Sequence, residues 1–500
     1  MWMTRATWIA LALTFVVLAR GLPAETFFVG DPGVKLAAAR EAIAHPATPF
    51  EVSLPKIGDQ RVALVDPFFM VHGDHAHAIT SEVFPVLNAP LIAIFGIRGA
   101  YVLPAAGFLL ALWASPRLAR AIGCRASPAT VVLASALGTP LLFYGLEFWE
   151  HAPAVAMAAI ATTVLFKDTT TEQTGGHGFG RLLLAGALFG ISVLLRPEAF
   201  WFFLAVAFSS RLLTSPPGWS AIAIAAAGMA LPLAPVAIYS LVHFGTIAPP
   251  HLETQADLLT IGWLNTRAGI ITAWFAPDAL RATPLWGCAL VLTAVSGLAI
   301  SGRRGPGRFL AGVVLLDAAL VVITAPNDGG GQWGPRYLLF AFIPASLLLA
   351  DAVHALKGRS AVAAIAATVV LFAAGAWIQR SGYRELRGTK IMYGRVLDLV
   401  EQEVPPGGYA VTDVWWLDQV AAAARTGRTI LFTASEENRE DAFRRLYGAG
   451  VETVTAFFSR DESAGSSAWS GPPCYEPVGQ VEIETRQLAA ITLKRRPNCQ

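Results

Sequence analysis

The chain has 500 residues, of which 54% are hydrophobic and only 14% are charged. A soluble domain carries about 25% charged residues, so this composition indicates a membrane protein and argues against a cytosolic enzyme. The formal net charge is only +2, and no basic patch interleaved with aromatic residues is present. These two features argue against nucleic acid as a partner.

Apolar runs of membrane-spanning length recur along the chain, where roughly 20 apolar residues cross the hydrocarbon core. The full-length runs are 7–22, 99–118, 127–146, 218–242, 284–301, 308–325, 336–356 and 360–379. Two shorter or interrupted runs, 152–167 and 181–213, add three spans, because Arg196-Pro197-Glu198 divides the second run. Prolines and Asn88 within 83–97 indicate an interfacial helix. The sequence therefore predicts a mostly α, polytopic protein of about eleven transmembrane helices.

Basic residues follow the even-numbered spans, and this sets the expected orientation. They include Arg117, Arg120 and Arg125 after the second span, Arg211 after the sixth and Lys357 after the tenth. Lys and Arg concentrate in cytoplasmic loops. We therefore expect the N-terminus on the inner side of the cytoplasmic membrane. Residues 1–22 are either a signal peptide or a retained anchor, and the lack of a clear small-residue cleavage site favours the anchor. The first exported loop is then 23–98.

The composition changes at about residue 381. Charges become frequent, and strand-like stretches such as "GYAVTDV" and "TILFT" alternate with helical ones such as "ENREDAFRRLYGAG". This order predicts a small α/β domain over 381–500, separate from a membrane domain over 1–380. After eleven spans the domain lies outside, where a disulfide between Cys474 and Cys499 can persist.

Most unusual polar clusters fall on the expected outer side of the membrane. Their candidate site residues are Asp31 and Lys35 in "VGDPGVK", Glu150 and His151 in "YGLEFWEHAP", Arg196 and Glu198 in "LLRPEAF", His251 in "APPHLETQ" and Arg336 in "NDGGGQWGPRYLL". Charged side chains near the hydrocarbon core are costly and indicate function, so we expect one site. For Asp31, followed by Pro32, a plain helix start is the alternative.

The interruption at Arg196 adds a geometric expectation. The segments beside it, 182–195 and 199–213, rise only about 21 to 23 Å as helices, less than the roughly 30 Å core. Arg196 and Glu198 should then be recessed below the outer surface, in a cavity that lipid does not reach. A mutual Arg–Glu ion pair that kinks a helical hairpin is a compatible alternative.

The stretch "VHGDHAH" at 71–77 is a candidate metal site. His72, His75 and His77 with Asp74 are residue types that bind zinc or manganese. The stretch contains turn residues and lacks the helical i, i+4 pairing of many metal sites. We therefore favour a solvated loop near the acceptor entrance. No cofactor is certain, and a divalent metal remains open.

Four stretches resemble those of bacterial GT-C glycosyltransferases: "GDPGVK" at 30–35, "FWEHAPAVA" at 148–156, "LLRPEA" at 194–199 and "QWGPRYLL" at 332–339. The resemblance covers roughly residues 5–380 and includes an early acidic residue, about eleven spans and an exported C-terminal domain. It implies a GT-C fold. It also implies transfer of a sugar from a polyprenyl-phosphate donor in the membrane lipid to a glycan, lipid or protein acceptor. Protein O-mannosyltransferases and lipid A aminoarabinose transferases act in this way.

The resemblance also implies roles for single residues. Asp31 would be the catalytic base, and Glu150 would supply a second carboxylate, because Pro32 stands where many relatives have Glu. Arg196, Arg336 and, more weakly, Lys35 would stabilise the leaving phosphate. Glu198 would belong to the same substrate-binding site, and His151 and His251 would bind phosphate or orient the acceptor.

Two other functions are compatible with a polytopic chain. A transporter or flippase of lipid-linked glycans would place ionisable residues near the bilayer midplane and often shows inverted repeats. Here only Asp317 lies deep in a predicted span, and no repeat is visible. A membrane scaffold with an exported binding domain would leave the clustered acids, Arg and His without a role. The sequence thus favours an enzyme.

Overall fold

The computed structural model describes residues 2–28, 30–166, 177–247, 262–276, 282–301, 305–330, 333–357, 360–424, 427–459, 472, 474–482, 488–497 and 499. Helices dominate this part of the chain. They are α1 (Trp2–Arg20), α2 (Asp31–Ala44), α3 (Val83–Phe95), α4 (Val102–Ala121), α5 (Pro128–Leu137), α6 (Leu141–Gly145), α7 (His151–Phe166), α8 (His177–Leu195), α9 (Glu198–Ser209), α10 (Trp219–Phe244), α11 (Trp263–Phe275), α12 (Ala282–Ser301), α13 (Gly305–Thr324), α14 (Leu339–Lys357), α15 (Ala361–Glu403), α16 (Leu417–Val420) and α17 (Glu436–Gly448).

The strands fall into two groups along the chain. The first group is β1 (Val52–Ser53), β2 (Lys56–Ile57), β3 (Gln60–Arg61), β4 (Phe69–His72) and β5 (His75–Ala78). The second group is β6 (Tyr409–Thr412), β7 (Thr429–Phe432), β8 (Thr453–Ser459), β9 (Tyr475–Glu482) and β10 (Leu488–Arg495).

Most predicted spans correspond to helices, with one clear exception. The run 127–146 was expected to be one helix, but α5 ends at Leu137 and α6 starts at Leu141. Pro140 lacks the N–H that a continuous helix needs, so the prediction of an unbroken span is wrong there. The break predicted at Arg196-Pro197-Glu198 is present, because α8 ends at Leu195 and α9 starts at Glu198.

Within the described residues, six helical stretches are long and apolar enough to cross a membrane, judged by length and composition. They are Val83–Ala121, Gly178–Leu195, Trp219–Phe244, Gly305–Thr324, Arg336–Lys357 and Ala361–Glu403. Shorter apolar helices lie at Pro128–Leu137, His151–Phe166 and Leu285–Ala299. The mostly α, multi-pass character is therefore confirmed, while the number of about eleven spans stays a prediction. The predicted interfacial run 83–97 is part of the first of the six stretches.

The chain divides into two compact units. One, the helical unit, comprises Met1–Gly21 and Tyr101–Glu385, and the other, the mixed unit, comprises Leu22–Ala100 and Leu386–Gln500. In the helical unit α7 packs against α4 and α8, and α8 packs against α10. Small residues permit the last contact: a Cβ added at Gly186 would overlap the carbonyl oxygen of Ala225, so the two backbones touch.

The mixed unit contains the predicted α/β region. Its five-stranded sheet has the order β7-β6-β8-β10-β9, in which β6 pairs in parallel with β7 and β8, and β10 pairs antiparallel with β8 and β9. The described residues Cys474 and Cys499 form a disulfide, which confirms the expected pairing. One apolar core under the sheet includes Val411, Leu431 and Phe443.

The 23–98 stretch is more ordered than a loop. Strands β1, β5 and β4 form a three-stranded antiparallel sheet, β2 pairs with β3, and α2 packs against α3. A second apolar core joins α2 to this small sheet through Val34, Val52, Phe69 and Ala76. The start of α2, which carries Asp31, therefore has a fixed local framework.

Candidate active site

Three charged side chains of the helical unit lie at helix ends whose partial charge is opposite in sign to their own. Glu150 precedes α7, where its carbonyl oxygen accepts the N–H of Ala154 at 2.9 Å. Glu198 is the first residue of α9, and Arg196 directly follows α8. The helix dipole favours negative charge at the first two positions and positive charge at the third. The sequence therefore places each charge where the local backbone stabilises it.

Arg196 joins the two carboxylates. Its Nε and Nη2 donate to both oxygens of Glu198 at 3.1 and 2.5 Å, and its Nη1 donates to Oε1 of Glu150 at 3.2 Å. The side chains of Arg196, Glu198 and Glu150 are only 13%, 12% and 2% exposed. The Arg–Glu ion pair that the sequence left open is thus present, and it extends to Glu150. With both acids ionised the trio carries one net negative charge.

Aromatic side chains surround Glu150 and the neighbouring imidazole. Nδ1 of His151 lies 3.9 Å from Oε1 of Glu150, and the His151 ring centre lies 4.7 Å from that of Tyr144. The Tyr144 hydroxyl donates to the carbonyl oxygen of Trp333 at 3.0 Å, and the ring of Phe143 stacks on Trp333. These contacts tie the 144–151 turn to the segment that carries Arg336.

The ring of Tyr337 lies between Arg196 and Arg336. Its ring centre lies 5.5 Å from Cζ of Arg196 and 4.9 Å from Cζ of Arg336, both within cation–π range. Nη2 of Arg336 donates to the Tyr337 hydroxyl at 3.1 Å, and this hydroxyl donates to Oδ1 of Asn327 at 3.1 Å. The structure therefore brings Glu150, His151, Arg196, Glu198 and Arg336 into one connected network.

A further carboxyl group lies deeper in the same unit. Asp317 of α13 is fully buried and interacts electrostatically with Glu198. Neither of its carboxyl oxygens has a hydrogen-bond partner among the described residues. Sequence reasoning noted its depth but gave it no place in the site.

Asp31 and Lys35 belong to the mixed unit. Helix α2 starts at Asp31, with Pro32 in its first turn, so the expectation of a helix start is correct. The N-cap position falls on Gly30, however, because the helix begins one residue earlier than a capping Asp31 requires. Lys35 is almost fully buried, and its Nζ lies 5.9 Å from the ring centre of Phe84. His251 lies outside the described residues.

His75 and His77, both on strand β5, contact different groups. His75 contacts Glu51 through Nδ1 at 3.4 Å and Asp74 through Nε2 at 3.1 Å. Nδ1 of His77 lies 3.1 Å from the carbonyl oxygen of Phe50, and burial lowers the pKa of His77. Across the part of the chain that the structure describes, no three His, Cys, Asp or Glu side chains gather as a metal site would need.

Sequence reasoning missed three members of the network. Tyr337 and Tyr144 lie inside stretches that were singled out, "QWGPRYLL" and "YGLEFWEHAP", but a tyrosine in an apolar span is usually core. Asn327 lies two residues before a glycine whose N–H its side chain accepts at 2.9 Å. Local pattern indicates a turn there and cannot reveal the bond to Tyr337.

Comparison with known proteins gives fold similarity only. No protein-family model matches the chain, and no curated protein matches it. ArnT from Cupriavidus metallidurans, solved in the apo state, is 14% identical with a TM-score of 0.56 and 97% of each chain covered. The same protein bound to undecaprenyl phosphate gives 12% identity, a TM-score of 0.57 and the same coverage.

An archaeal oligosaccharyltransferase is also similar. AglB from Archaeoglobus fulgidus, in complex with an inhibitory peptide and a dolichol-phosphate, is 13% identical with a TM-score of 0.51. The alignment covers 91% of the present chain and 70% of AglB. Both similarities extend over the helical and mixed units together. The chain therefore has an ArnT-like GT-C fold, as the resemblance in its sequence implied.

Proposed function

We propose that this protein is a membrane glycosyltransferase, which moves a sugar from a polyprenyl-phosphate donor to an acceptor on the outer face of the cytoplasmic membrane. The observation that carries the proposal is the buried Glu150–Arg196–Glu198 network, held at the break between two apolar helices and extended through Tyr337 to Arg336. Burying so many charged groups in an apolar bundle is costly, and function is the usual reason for accepting that cost.

The fold supports the same conclusion by analogy. ArnT was solved with undecaprenyl phosphate, and AglB was solved with a dolichol-phosphate and a peptide. Undecaprenyl phosphate and dolichol-phosphate are both polyprenyl phosphates, so a lipid carrier of this class suits the present chain. Fold alone does not set activity, and the site residues have to support it. The sugar and the acceptor stay unassigned.

The reaction we propose is a displacement at the anomeric carbon of the donor sugar. The acceptor hydroxyl oxygen forms a bond to that carbon, the carbon–oxygen bond to phosphate breaks, and the electron pair leaves with the polyprenyl phosphate. The hydroxyl proton passes to a carboxylate within hydrogen-bond reach, for which Asp31 is our first candidate and Glu150 the second. Asp31 lies in the first turn of α2.

The cationic groups divide into two roles. The donor hydrogens of Arg196 on Nε and Nη2 face Glu198, and one on Nη1 faces Glu150. This makes Arg196 chiefly the counter-ion that permits two buried glutamates. Arg336 is half-buried at the edge of the same network, and its planar guanidinium matches phosphate oxygens. We therefore assign phosphate binding first to Arg336, with Lys35 and Arg196 in support. Glu198 and the imidazole of His151 complete the polar lining.

The test is sugar transfer from a radiolabelled polyprenyl-phosphate donor by purified protein in vesicles. Asp31→Asn keeps the size of the side chain but cannot accept the proton, so its turnover should fall about 100-fold or more with donor binding retained. The matched control is Asp59→Asn, an exposed aspartate of the same unit. If Asp31→Asn turns over near the parental level, Asp31 is not the catalytic base. Glu150 then becomes the candidate, or the carboxylate-base assignment is abandoned.

Arg336→Gln should behave differently from Asp31→Asn. It removes a cation facing the leaving phosphate, so both the donor KM and kcat should worsen. An unchanged donor KM in Arg336→Gln, with kcat alone reduced, would contradict the phosphate-binding role.

A further inference from the structure

The first turn of α2 touches a segment from the far end of the chain, residues 415–422. A Cβ added at Gly30 would overlap Oε1 of Gln419 and lie 2.6 Å from its Cδ. A Cβ added at Gly33 would overlap the carbonyl oxygen of Gln419 and lie 2.6 Å from its carbonyl carbon. Side-chain atoms do not come this close, so both glycines of "GDPGVK" are required by this contact.

Hydrogen bonds fix the same contact. Nε2 of Gln419 donates to Oδ1 of Asp66 at 3.3 Å and to the carbonyl oxygen of Trp415 at 3.4 Å. Nη1 of Arg40, further along α2, donates to the carbonyl oxygen of Ala422 at 2.6 Å. Gln419 and Asp66 are only 2% and 1% exposed. Buried and bonded in this way, the Gln419 side chain has little freedom to move away from Gly30.

The residues before Gly30 are held from the C-terminal part as well. The Thr26 hydroxyl donates to the carbonyl oxygen of Lys390 at 2.8 Å, and Nζ of Lys390 lies 5.7 Å from the ring centre of Phe27. Both Thr26 and Lys390 are buried. The C-terminal part of the chain therefore contacts residues both before and after Asp31.

We infer that Gln419 is a positioning residue, which fixes the first turn of α2 and through it the carboxylate of Asp31. This inference rests on the proposed role of Asp31. The C-terminal α/β region then forms part of the catalytic apparatus and is more than an appended binding domain. A catalytic group displaced by about 1 Å can lose roughly 100-fold in rate, so such a contact matters for turnover.

A pair of substitutions, made singly and together, tests the contact between Gly30 and Gln419. The backbone of Gly30 (φ −58°, ψ −39°) suits alanine, so the obstacle to Gly30→Ala is the Gln419 side chain. Gly30→Ala should lower kcat about 10-fold or more, with little change in donor KM. Gln419→Ala alone should lower kcat several-fold. The double variant should have about the kcat of Gln419→Ala alone, because Gln419→Ala removes Oε1 and Cδ and leaves the added Cβ with only the Cβ contact at 3.2 Å.

The matched control is Gly388→Ala. Gly388 also lies in the mixed unit, within α15, and a Cβ added there meets nothing within 4 Å. Its turnover should equal the parental value. A reduction in Gly388→Ala comparable to that in Gly30→Ala would mean that any added methyl group in this region disturbs the protein, and would overturn the assignment to Gln419.

Hydrogen exchange of the α2 amides separates positioning from catalysis. Gly30→Ala and Gln419→Ala should each speed exchange in the first turn of α2, and the double variant should exchange at about the rate of Gln419→Ala alone. Asp31→Asn is assayed alongside. If Asp31→Asn transfers sugar normally, the base assignment fails while the exchange result still reports on the contact. If Asp31→Asn is inactive but Gly30→Ala has parental turnover and exchange, the positioning role is refuted.

Discussion

The variant Arg196→Met removes the guanidinium that Glu150 and Glu198 share. Methionine fills much of the same volume and leaves the break between α8 and α9 intact, so the change is chiefly one of charge. The two carboxylates, 2% and 12% exposed, then lose the guanidinium that they share. We expect a large loss of stability, because stranded buried charge is far costlier than a lost surface pair.

The magnitude follows from the geometry. At 3.2 Å and an effective dielectric constant of about 20, one Arg196–Glu150 pair attracts by about 5 kcal/mol. Desolvation of both partners offsets much of this, and removal of one member of a buried pair costs about 3–5 kcal/mol in measured cases. We therefore expect Arg196→Met to lower the free energy of unfolding by about 3–5 kcal/mol.

The assay is denaturant unfolding in mixed detergent micelles, followed by tryptophan fluorescence. Two further variants make it specific. Adding Glu150→Gln and Glu198→Gln to Arg196→Met removes every charge of the trio and should recover most of the loss, since replacing a whole buried ion network is often neutral. Arg445→Met breaks the exposed pair with Asp441 and should cost less than about 1 kcal/mol.

Two results would refute this reasoning. A loss below about 1 kcal/mol in Arg196→Met would mean that water screens the trio as it screens a surface pair. A triple variant no more stable than Arg196→Met would mean that the loss comes from packing of the methionine and not from the stranded carboxylates.

Three further results are expected. Cys474 and Cys499 should resist thiol labelling until reductant is added, and free labelling of both without reductant would contradict the disulfide. Burial raises the pKa of Glu82 to about 7 from its usual 4.5. Stability should therefore fall by up to about 3 kcal/mol as pH rises between these values, and Glu82→Gln should abolish the slope, whereas an equal slope in the variant would exclude Glu82 as its source. A periplasm-active phosphatase reporter should be active when fused after residue 380 and silent at Gly305, and the reverse pattern would invert the orientation.

The charged half of the candidate site was readable from sequence because its signals are local. Pro197 cannot continue a helix, so Arg196 and Glu198 had to lie at a break between apolar segments, and α8 does end and α9 does start there. Their ion pair joins residues only two positions apart in the sequence, so a local pattern was enough to suggest it. The same logic predicted a helix start beside Asp31, since Pro32 favours the first turn.

The remaining features depend on contacts that a local sequence pattern does not show. The bond from Tyr337 to Asn327 and the contact of Gln419 with Gly30 join residues whose local patterns give no hint of each other. The strands of the 23–98 stretch were missed for a related reason: several have only two residues, too few for an alternating pattern to show. Tertiary packing, and not propensity, orders that region.

The central claim is that a sugar leaves a polyprenyl phosphate on this protein and joins an acceptor. Purified protein in vesicles, given a polyprenyl-phosphate sugar labelled in the sugar and an envelope extract as acceptor, tests it directly. We predict that label passes from the lipid fraction to the acceptor fraction while an equal amount of polyprenyl phosphate appears. Label that stays on the lipid but changes leaflet would contradict the account and identify a flippase.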